Sequence, residues 1–383
     1  MSRLYDVAVV GAGPAGATAA RDLASAGASV VLLEKEDLPR YKTCGGGVVY
    51  RARSLAGVDL AAVVEREFHG ARMTLLDSGL TFETIRPEPI ISMTMRSSLD
   101  ALLVVAADSA GADVRPRTAI RGLSDSGGVV TLATSAEPVT AKFVIGADGA
   151  LSTIARLAGW TRETRRLAAA IEAEVYVSDR DLARHGQVRF DFDLPPHGYG
   201  WVFPKRDHLS IGIASVTRER ALSALFARYL RGLGLERVIR QERHGFVIPV
   251  SPRRDGLVRS RVLLAGDSAG FADPVTGEGI SFAIRSGRLA ARALLDARLD
   301  VARVADAYER SVRRELSPEL SVGRVLAKVL YASPRLRTWV FRRYGPRLAE
   351  AVTDIFMGSR TYARAVASPR SYWQLLHATA RGQ

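Results

Sequence analysis

Cysteine occurs once in this 383-residue chain, at Cys44, which excludes an intrachain disulfide or a thiolate metal cluster and suits a reducing, cytoplasmic setting. The six histidines are scattered, and no metal site is expected. No apolar run approaches the roughly 18 residues that span a bilayer, and the chain enters a strand at once without the pattern of a secretory leader. A protein that is soluble, or peripheral to the inner face of a membrane, is therefore expected. Lysine is scarce too, present only at Lys35, Lys42, Lys142, Lys205 and Lys328, so arginine carries almost all of the positive charge behind a formal net charge of +14. Residues 301–383 hold fifteen basic side chains against six acidic ones. That excess is either a solvated helical face or a surface for an anionic membrane or a phosphorylated substrate. With no nucleic-acid motif beside it, nucleic acid is not an expected partner. Neither repeats nor low-complexity linkers interrupt the chain, and a hydrophobic content of 47% is enough for a large core, read as two lobes plus appendages.

What is present begins with YDVAVVGAGPAGATAARDLASAGASVVLLEK, Tyr5 to Lys35. An apolar strand (Asp6 to Val10), a glycine turn, an Ala-rich helix to about Gly27 and a second apolar strand ending at Glu34 make a complete βαβ unit. Gly11 permits the tight turn, Gly13 lets the backbone approach a pyrophosphate at the positive end of the helix, and Gly16 lets helix and strand pack closely. Glu34, eighteen residues after Gly16, ends the second strand where a carboxylate pairs with ribose hydroxyls. The spacing predicts an adenine-dinucleotide site, and whether FAD or NAD fills it is decided downstream.

Leu38 to Val49 then forms a loop with three consecutive glycines, Gly45, Gly46 and Gly47. These are entropically costly unless the backbone must approach something closely, and a flat ring is such an object. Cys44 beside them is either a packing residue or a site thiol next to a cofactor, and its glycine neighbours favour the second. Phe68 to Met95 alternates like a visit to a sheet of another lobe. Arg96 precedes a helix with Leu99, Leu102, Leu103 and Ala106 at helical spacing, and is either solvated or placed to reach a phosphate. Short strands around residues 113–123, 129–132 and 141–145 lead into GADGALSTIARLAG, where Asp148 precedes a helix carrying Ser152 and Arg156 and has a plain reading as its cap.

Residues 171–250 read as a predominantly β lobe, with alternating segments such as IEAEVYV and QVRFDFDL. Within Pro196 to Ile213, alternation puts Tyr199, Trp201 and Phe203 on one strand face, and Pro204 ends the strand. The three rings are either ordinary sheet packing or the wall of a cavity for a flat or greasy ligand. Arg261 to Ala265 is another buried strand, after which a glycine-rich run enters a helix from about Gly279 to Leu295. Its N-terminus offers NH donors, Asp267 is placed to bind hydroxyls, and the turn from Pro274 to Gly279 suits a planar ring. The remainder, from Val301, is helical and Arg-rich, with exposed-looking aromatics Trp339, Phe341, Tyr362, Tyr372 and Trp373.

Together these residues resemble the FAD-dependent geranylgeranyl reductase family, within the larger group that contains the aromatic flavin hydroxylases. GAGPAG with Glu34, GADG with Arg156, and GDSAG with TGEGI look like that group's three FAD contacts. YKTCGGG, and P-x-x-Y-x-W-x-F-P-K from Pro196 to Lys205 with Gly212 after it, narrow the resemblance to the reductases. It implies an α/β fold: a Rossmann-type FAD-binding domain (1–70, 96–165 and 258–300), an inserted β-rich substrate domain (71–95 and 166–257) and a C-terminal helical region (301–383). It also implies FAD extended across the first lobe. Ala15, Glu34 and Lys35 meet its adenosine end, with Gly11, Gly13 and Gly16 at the turn, Ile120 near the adenine, and Arg96 at the phosphate or ribityl region. Asp148 belongs to the same contacts. Asp267, Pro274, Gly277, Gly279 and Ile280 meet the ribityl and flavin end, with Cys44 to Gly47 close to the ring. Tyr199, Trp201 and Phe203 then face substrate, and Cys44, Tyr199 and Trp201 are the expected catalytic side chains. Ser268 departs from the pattern, in a place often held by alanine, and Tyr199 stands where flavin halogenases have tryptophan.

The resemblance implies saturation of isoprenoid double bonds in a geranylgeranyl-type lipid, a chlorophyll precursor or a quinone tail, with NADPH or another external reductant recharging FAD. An isolated alkene has no carbonyl to polarise. Catalysis must then come chiefly from holding it in a dry, aromatic-lined channel, where proximity supplies up to about 7–11 kcal/mol. Two other readings share the scaffold: a flavin monooxygenase of an aromatic or polyketide substrate, and a non-catalytic membrane-associated flavoprotein.

Overall fold

A computed structural model of the chain describes residues 3–194, 198–216 and 221–367. The first strand, Leu4–Val10, lies between two parallel partners, Val30–Leu33 and Val139–Gly146, with Asp113–Arg115 and Val262–Leu264 extending the sheet on either side. These strands are nearly uniform in Val, Ile, Leu and Ala because a parallel sheet with covered faces buries both sides of each strand. The helix after the glycine turn, Pro14–Ser25, packs against the long helix Ile280–Asp296 and against Arg96–Ser109. Close approach is enforced at Gly287, where a Cβ would stand 3.2 Å from the Cα of Ala15. In Arg96–Ser109 the buried side is Leu99, Asp100, Leu103, Val104 and Ala107, so the predicted stripe is rotated and Leu102 and Ala106 are only half-buried. The rotation carries Asp100 inward, where two arginines hold it.

A seven-stranded sheet faces the first, in the order Val238–Pro249, Leu167–Val177, Leu209–Ser215, Gly198–Pro204, Val188–Phe192, Gly70–Leu75 and Leu80–Ile85. Its pairings are antiparallel except between Val188–Phe192 and Gly70–Leu75. Alternation sorts this sheet's faces. On one side Ala173, Val175, Val202, Ile211 and Ile213 form a separate core under the helix Leu222–Gly232. On the other, Phe190, Tyr199 and Trp201 join the main core. A third, small sheet of Gly47–Val49, Ile91–Met93 and Arg66–Phe68 bridges the region between them. The arrangement is a mixed α/β fold with a Rossmann-type cofactor layer, a β-rich layer and C-terminal helices, the class the sequence predicts.

The C-terminal helices Val301–Glu315, Ser317–Ala332 and Pro334–Met357 wrap back over both layers. Phe341 and Tyr362, which look exposed in the sequence, are buried, Phe341 against Phe82 and Phe192, and Tyr362 with its hydroxyl 3.0 Å from Asp273. Trp339 is exposed as expected, while Tyr372, Trp373 and Pro196 lie outside the described residues. A long-range partner, not local composition, decides each burial. Arg51, for example, is closed in by Glu278 at 3.0 Å and Glu319 at 2.5 Å, pinning the last helices to the turn before Ile280. Among the described residues no helix is long and apolar enough to cross a membrane.

Candidate active site

A cavity of about 730 Å³ is bounded by residues of both large sheets, within the ~300–1,000 Å³ usual for small-molecule sites. Most of the sequence-predicted residues meet there. Gly11, Gly13, Ala15, Glu34, Lys35, Arg96, Ile120 and Asp148 line one end. Asp267, Gly277, Gly279, Ile280 and the loop Cys44 to Gly47 line the middle, and Tyr199, Trp201 and Phe203 the far wall. Three residues lie off the wall. Gly16 is buried under the turn, where a Cβ would run into the Gly11 carbonyl, so its role is helix–strand packing. Pro274 sits behind the turn that it starts, 3.2 Å from where a Cβ on Gly323 would lie, and Arg156 is exposed. The short helix Thr153–Leu157 is capped by Ser152, whose hydroxyl accepts from the Ala155 amide at 2.9 Å, and Asp148 braces that cap, accepting from the Ser152 hydroxyl at 2.5 Å and the Ile154 amide at 3.0 Å while still facing the cavity.

The cradle at the first end is built from backbone and locked charges. Gly11 has φ +100°, and a Cβ there would stand 2.8 Å from the Cα of Asp148. Gly13 opens to the cavity, and its missing side chain would meet only one guanidinium nitrogen each of Arg40 and Arg96, both at 3.8 Å. A helix N-terminus facing two cations, with no side chain between, is an anion site. Asp100 holds both arginines: Arg96 binds it through two nitrogens at 2.9 Å and Arg40 at 3.1 Å. Burial works against the Arg96 cation, but Asp100 and then the Cys44 thiol more than offset it, and its pKa is raised. Glu34 is fixed by the Ala12 amide at 3.0 Å, the Glu36 amide at 3.2 Å and Arg40 at 3.1 Å. These groups fit the pyrophosphate and ribose of FAD. Sequence reading missed Arg40 and Asp100, whose pairing spans sixty residues.

The glycine run also has a cause within the protein. A Cβ on Gly45 would stand 2.8 Å from the Phe203 ring, one on Gly47 3.2 Å from it, and Gly46, with φ +65°, would collide with the Thr94 carbonyl and the Lys205 ammonium. The loop lies against the aromatic strand, which leaves these positions no room for side chains, and all three glycines also line the cavity. Gly212 is explained in the same way: the Trp201 indole lies across it, leaving no space for any side chain. The Trp201 indole NH has no hydrogen-bond partner among the described residues. The Tyr199 hydroxyl donates to the Thr276 carbonyl, tying the aromatic strand to the turn before Ile280, and burial raises its pKa. Burial also pushes the Asp267 carboxyl up, against the opposing pull of Lys42 and Arg96. Burial likewise pulls Lys42 down to about 8, and its ammonium stands 3.3 Å from the centre of the Phe246 ring. The Ser268 hydroxyl lies 2.5 Å from the Gly146 carbonyl and 2.7 Å from that of Ala265, so the departure from alanine is absorbed within the protein.

Two features of the wall escaped the sequence reading. Phe356, from the helix Pro334–Met357, lines the cavity beside Phe190, so the C-terminal region contributes more than a basic surface. Glu172 also lines it, carrying a carboxyl into an otherwise aromatic wall. Its oxygens accept from the Cys44 amide at 2.9 Å and the Ser210 hydroxyl at 2.7 Å. Burial, reinforced by Glu174, pushes its pKa up to about 7. The available signal was the pair of glutamates at period two inside IEAEVYV, which places both on one face of an apolar strand.

Residues 4–208 match the family described as FAD binding domain. The chain is 32% identical over 372 residues to the chloroplastic geranylgeranyl diphosphate reductase of Oryza sativa subsp. japonica, covering 88% of this chain and 77% of that one. It is 32% identical over 351 residues to the menaquinone reductase of Mycobacterium tuberculosis, covering 84% and 85%. In fold it matches the crystal structure of a geranylgeranyl bacteriochlorophyll reductase-like protein from Thermoplasma acidophilum, with a TM-score of 0.77 at 22% identity over 99% of this chain and 97% of that one. A cradle shaped for FAD, and likeness sustained over more than three quarters of two reductases, mean that the chain belongs to the FAD-dependent geranylgeranyl reductase family.

Proposed function

We propose that this chain is an FAD-dependent reductase that saturates isolated carbon–carbon double bonds of an isoprenoid chain. The observation that carries this reading is continuity: one cavity runs from the anion cradle at Gly13 to the wall of Tyr199, Trp201, Phe203, Phe190 and Phe356. Bound in the cradle, FAD once reduced supplies a hydride equivalent. Arg40, Arg96 and the amides at Gly13 hold its phosphates, Glu34 the ribose, and Asp267 with the helix start at Gly279 the ribityl and ring end. The aromatic wall excludes water and orients a flexible apolar chain, where proximity contributes most because an alkene offers no polar handle. The relatives above are named for a geranylgeranyl diphosphate and a menaquinone, which share a polyisoprenoid chain. NADPH or another external reductant recharges the site. Anaerobic incubation of dithionite-reduced protein with geranylgeranyl compounds, followed by mass spectrometry, should show gains of two mass units per double bond. Product carrying an added oxygen, formed with matching oxygen consumption, would establish the monooxygenase alternative instead.

Contact with a membrane surface belongs to the same reading, because the substrate is a lipid. Along Ser317–Ala332 and Pro334–Met357, Val325 and Trp339 are exposed at 64% and 59%, and Arg324, Lys328, Arg335, Arg342 and Arg343 are exposed on the same helices. Each cation near an anionic bilayer contributes about 1 kcal/mol, and salt screens it. Cosedimentation with phosphatidylserine vesicles should be strong at low ionic strength and lost in salt; no binding at low ionic strength would remove the membrane contact.

A further inference from the structure

Saturating an isolated alkene breaks its π bond and forms two C–H bonds. A hydride equivalent, with its two electrons, reaches one carbon from reduced FAD, and a proton must reach the other. The residues assigned so far bind and orient but supply no proton. We propose that the Glu172 carboxyl delivers this proton into the cavity and that Ser210, Glu174, His208 and Asp207 form the path that reloads it from solvent. The inference rests on the reductase reading and deepens it.

The path is hydrogen-bonded in the fold except between Ser210 and Glu174, which stand opposite each other as register partners on paired strands. Glu172 and Glu174 sit two residues apart on one face of Leu167–Val177, and Ser210 is the register partner of Glu174 while donating to Glu172 at 2.7 Å. Glu174 lies 2.7 Å from Nε2 of His208, whose Nδ1 lies 2.7 Å from Asp207. The Glu174 and His208 side chains are 4% and 3% exposed, whereas that of Asp207 is 69% exposed, so the chain of groups runs from water to the cavity wall. Burial works against the His208 cation, but Glu174 and Asp207 outweigh it and raise its pKa, which suits a group that takes protons from solvent. A carboxyl held at about 7 is protonated often enough at neutral pH to act as an acid. The Cys44 amide and the Ser210 hydroxyl then stabilise the carboxylate left behind.

The charged and titratable groups around Glu172 come from every packed element. Glu174 is on its own strand, His244 is its register partner on Val238–Pro249, and Tyr41 and Cys44 approach from the glycine-rich loop. Lys205 adds a cationic influence from the end of the aromatic strand. Three other proton-bearing side chains of the region are engaged elsewhere. The Tyr199 hydroxyl donates to Thr276, the Lys205 ammonium donates to the Thr94 carbonyl at 2.8 Å, and the Cys44 thiol lies against Arg96 at the cationic end.

The test uses FAD-loaded protein, reduced with dithionite under anaerobic conditions, with geranylgeranyl diphosphate as the probe. Glu172→Gln should keep its FAD but slow the first turnover about 10²- to 10⁴-fold. Its rate should lose the decline that wild type shows as pH rises through about 7. Asp207→Asn and His208→Gln should leave the first turnover intact and slow later ones, a split that a purely structural role does not produce. Independently of catalysis, infrared titration of the flavin-free protein should show a carboxylic-acid band lost near pH 7 in wild type and missing in Glu172→Gln. A wild-type first-turnover rate in Glu172→Gln, or an identical band in both proteins, overturns the proposal. Should Glu172→Gln fail to hold FAD, the turnover split in Asp207→Asn, an exposed position, decides instead, and equal slowing of all turnovers overturns the path. Wild-type protein that saturates no isoprenoid sinks the reductase reading itself, whereas active wild type with an indifferent Glu172→Gln sinks this proposal alone.

Discussion

The two ends of the cavity hold their ligands by opposite means. At the Gly13 end the recognising groups are backbone amides and two arginines whose charges are fixed by Asp100 and Glu34, so the site exists before any ligand arrives. At the Trp201 end the wall is side-chain surface, and the Glu172 carboxyl on it is pushed toward neutrality because the surroundings are dry. A phosphate is recognised by charge and direction, which a short turn and a few counter-ions can set. A greasy chain is recognised by area and shape, which take a whole sheet. The contrast teaches that burial opposes charge on both Arg96 and Glu172: at Arg96 the close counter-ion Asp100 outweighs it, whereas at Glu172 the like-charged Glu174 adds to it.

The harshest way to break the cradle is Gly16→Val. Its side chain would occupy the place of the Gly11 carbonyl, and overpacking of this kind costs about 1–3 kcal/mol or more. Purified variant should be colourless and melt early, and a yellow protein of normal stability would show that the turn tolerates bulk. Trp201→Ala strikes the other end. Emptying a buried indole costs about 3–5 kcal/mol, and the variant should keep FAD while losing turnover on long isoprenoids. Normal turnover there would place the substrate wall elsewhere.

A smaller effect concerns pH. Because burial raises the folded-state pKa of Glu172 to about 7 from 4.5, the folded protein binds the extra proton between these values. Its stabilising contribution is complete below about pH 4.5 and is lost as pH rises through 7, at no more than about 1.4 kcal/mol per pH unit. Denaturant melts should therefore show Glu172→Gln gaining on wild type as pH rises from 5 to 8, and parallel curves would refute the shift. Cys44→Ser should do least. The thiol accepts from the Gly46 amide at 3.4 Å, which a hydroxyl can also do, so FAD is retained. A changed rate or number of double bonds reduced would mark a functional thiol, and identity with wild type in both would leave a packing residue.

The cradle was readable because its determinants are close in sequence. Gly11, Gly13 and Gly16 act within one turn, and Glu34 is one strand away. The aromatic strand was readable as a face, because period two is local. Its partners were not. Gly45 to Gly47 read as room for an approaching ring, but nothing local told that they also meet Phe203, Thr94 and Lys205, contacts that span more than 45 residues. Phe341 and Tyr362 looked exposed because a basic helical segment does not announce which of its rings another layer will cover.

By itself, the sequence determined the βαβ cofactor unit, the alternation that points three rings one way, and the glycines without which neither could form, since each follows from backbone sterics over a few residues. Only the tertiary structure decided that Asp100 would clamp Arg40 and Arg96, that Phe356 would close the wall, and that Glu172 would sit among aromatics with a path to water through His208. Those outcomes depend on the low dielectric and the counter-charges of residues dozens to hundreds of positions apart. Such surroundings exist only once the layers have packed.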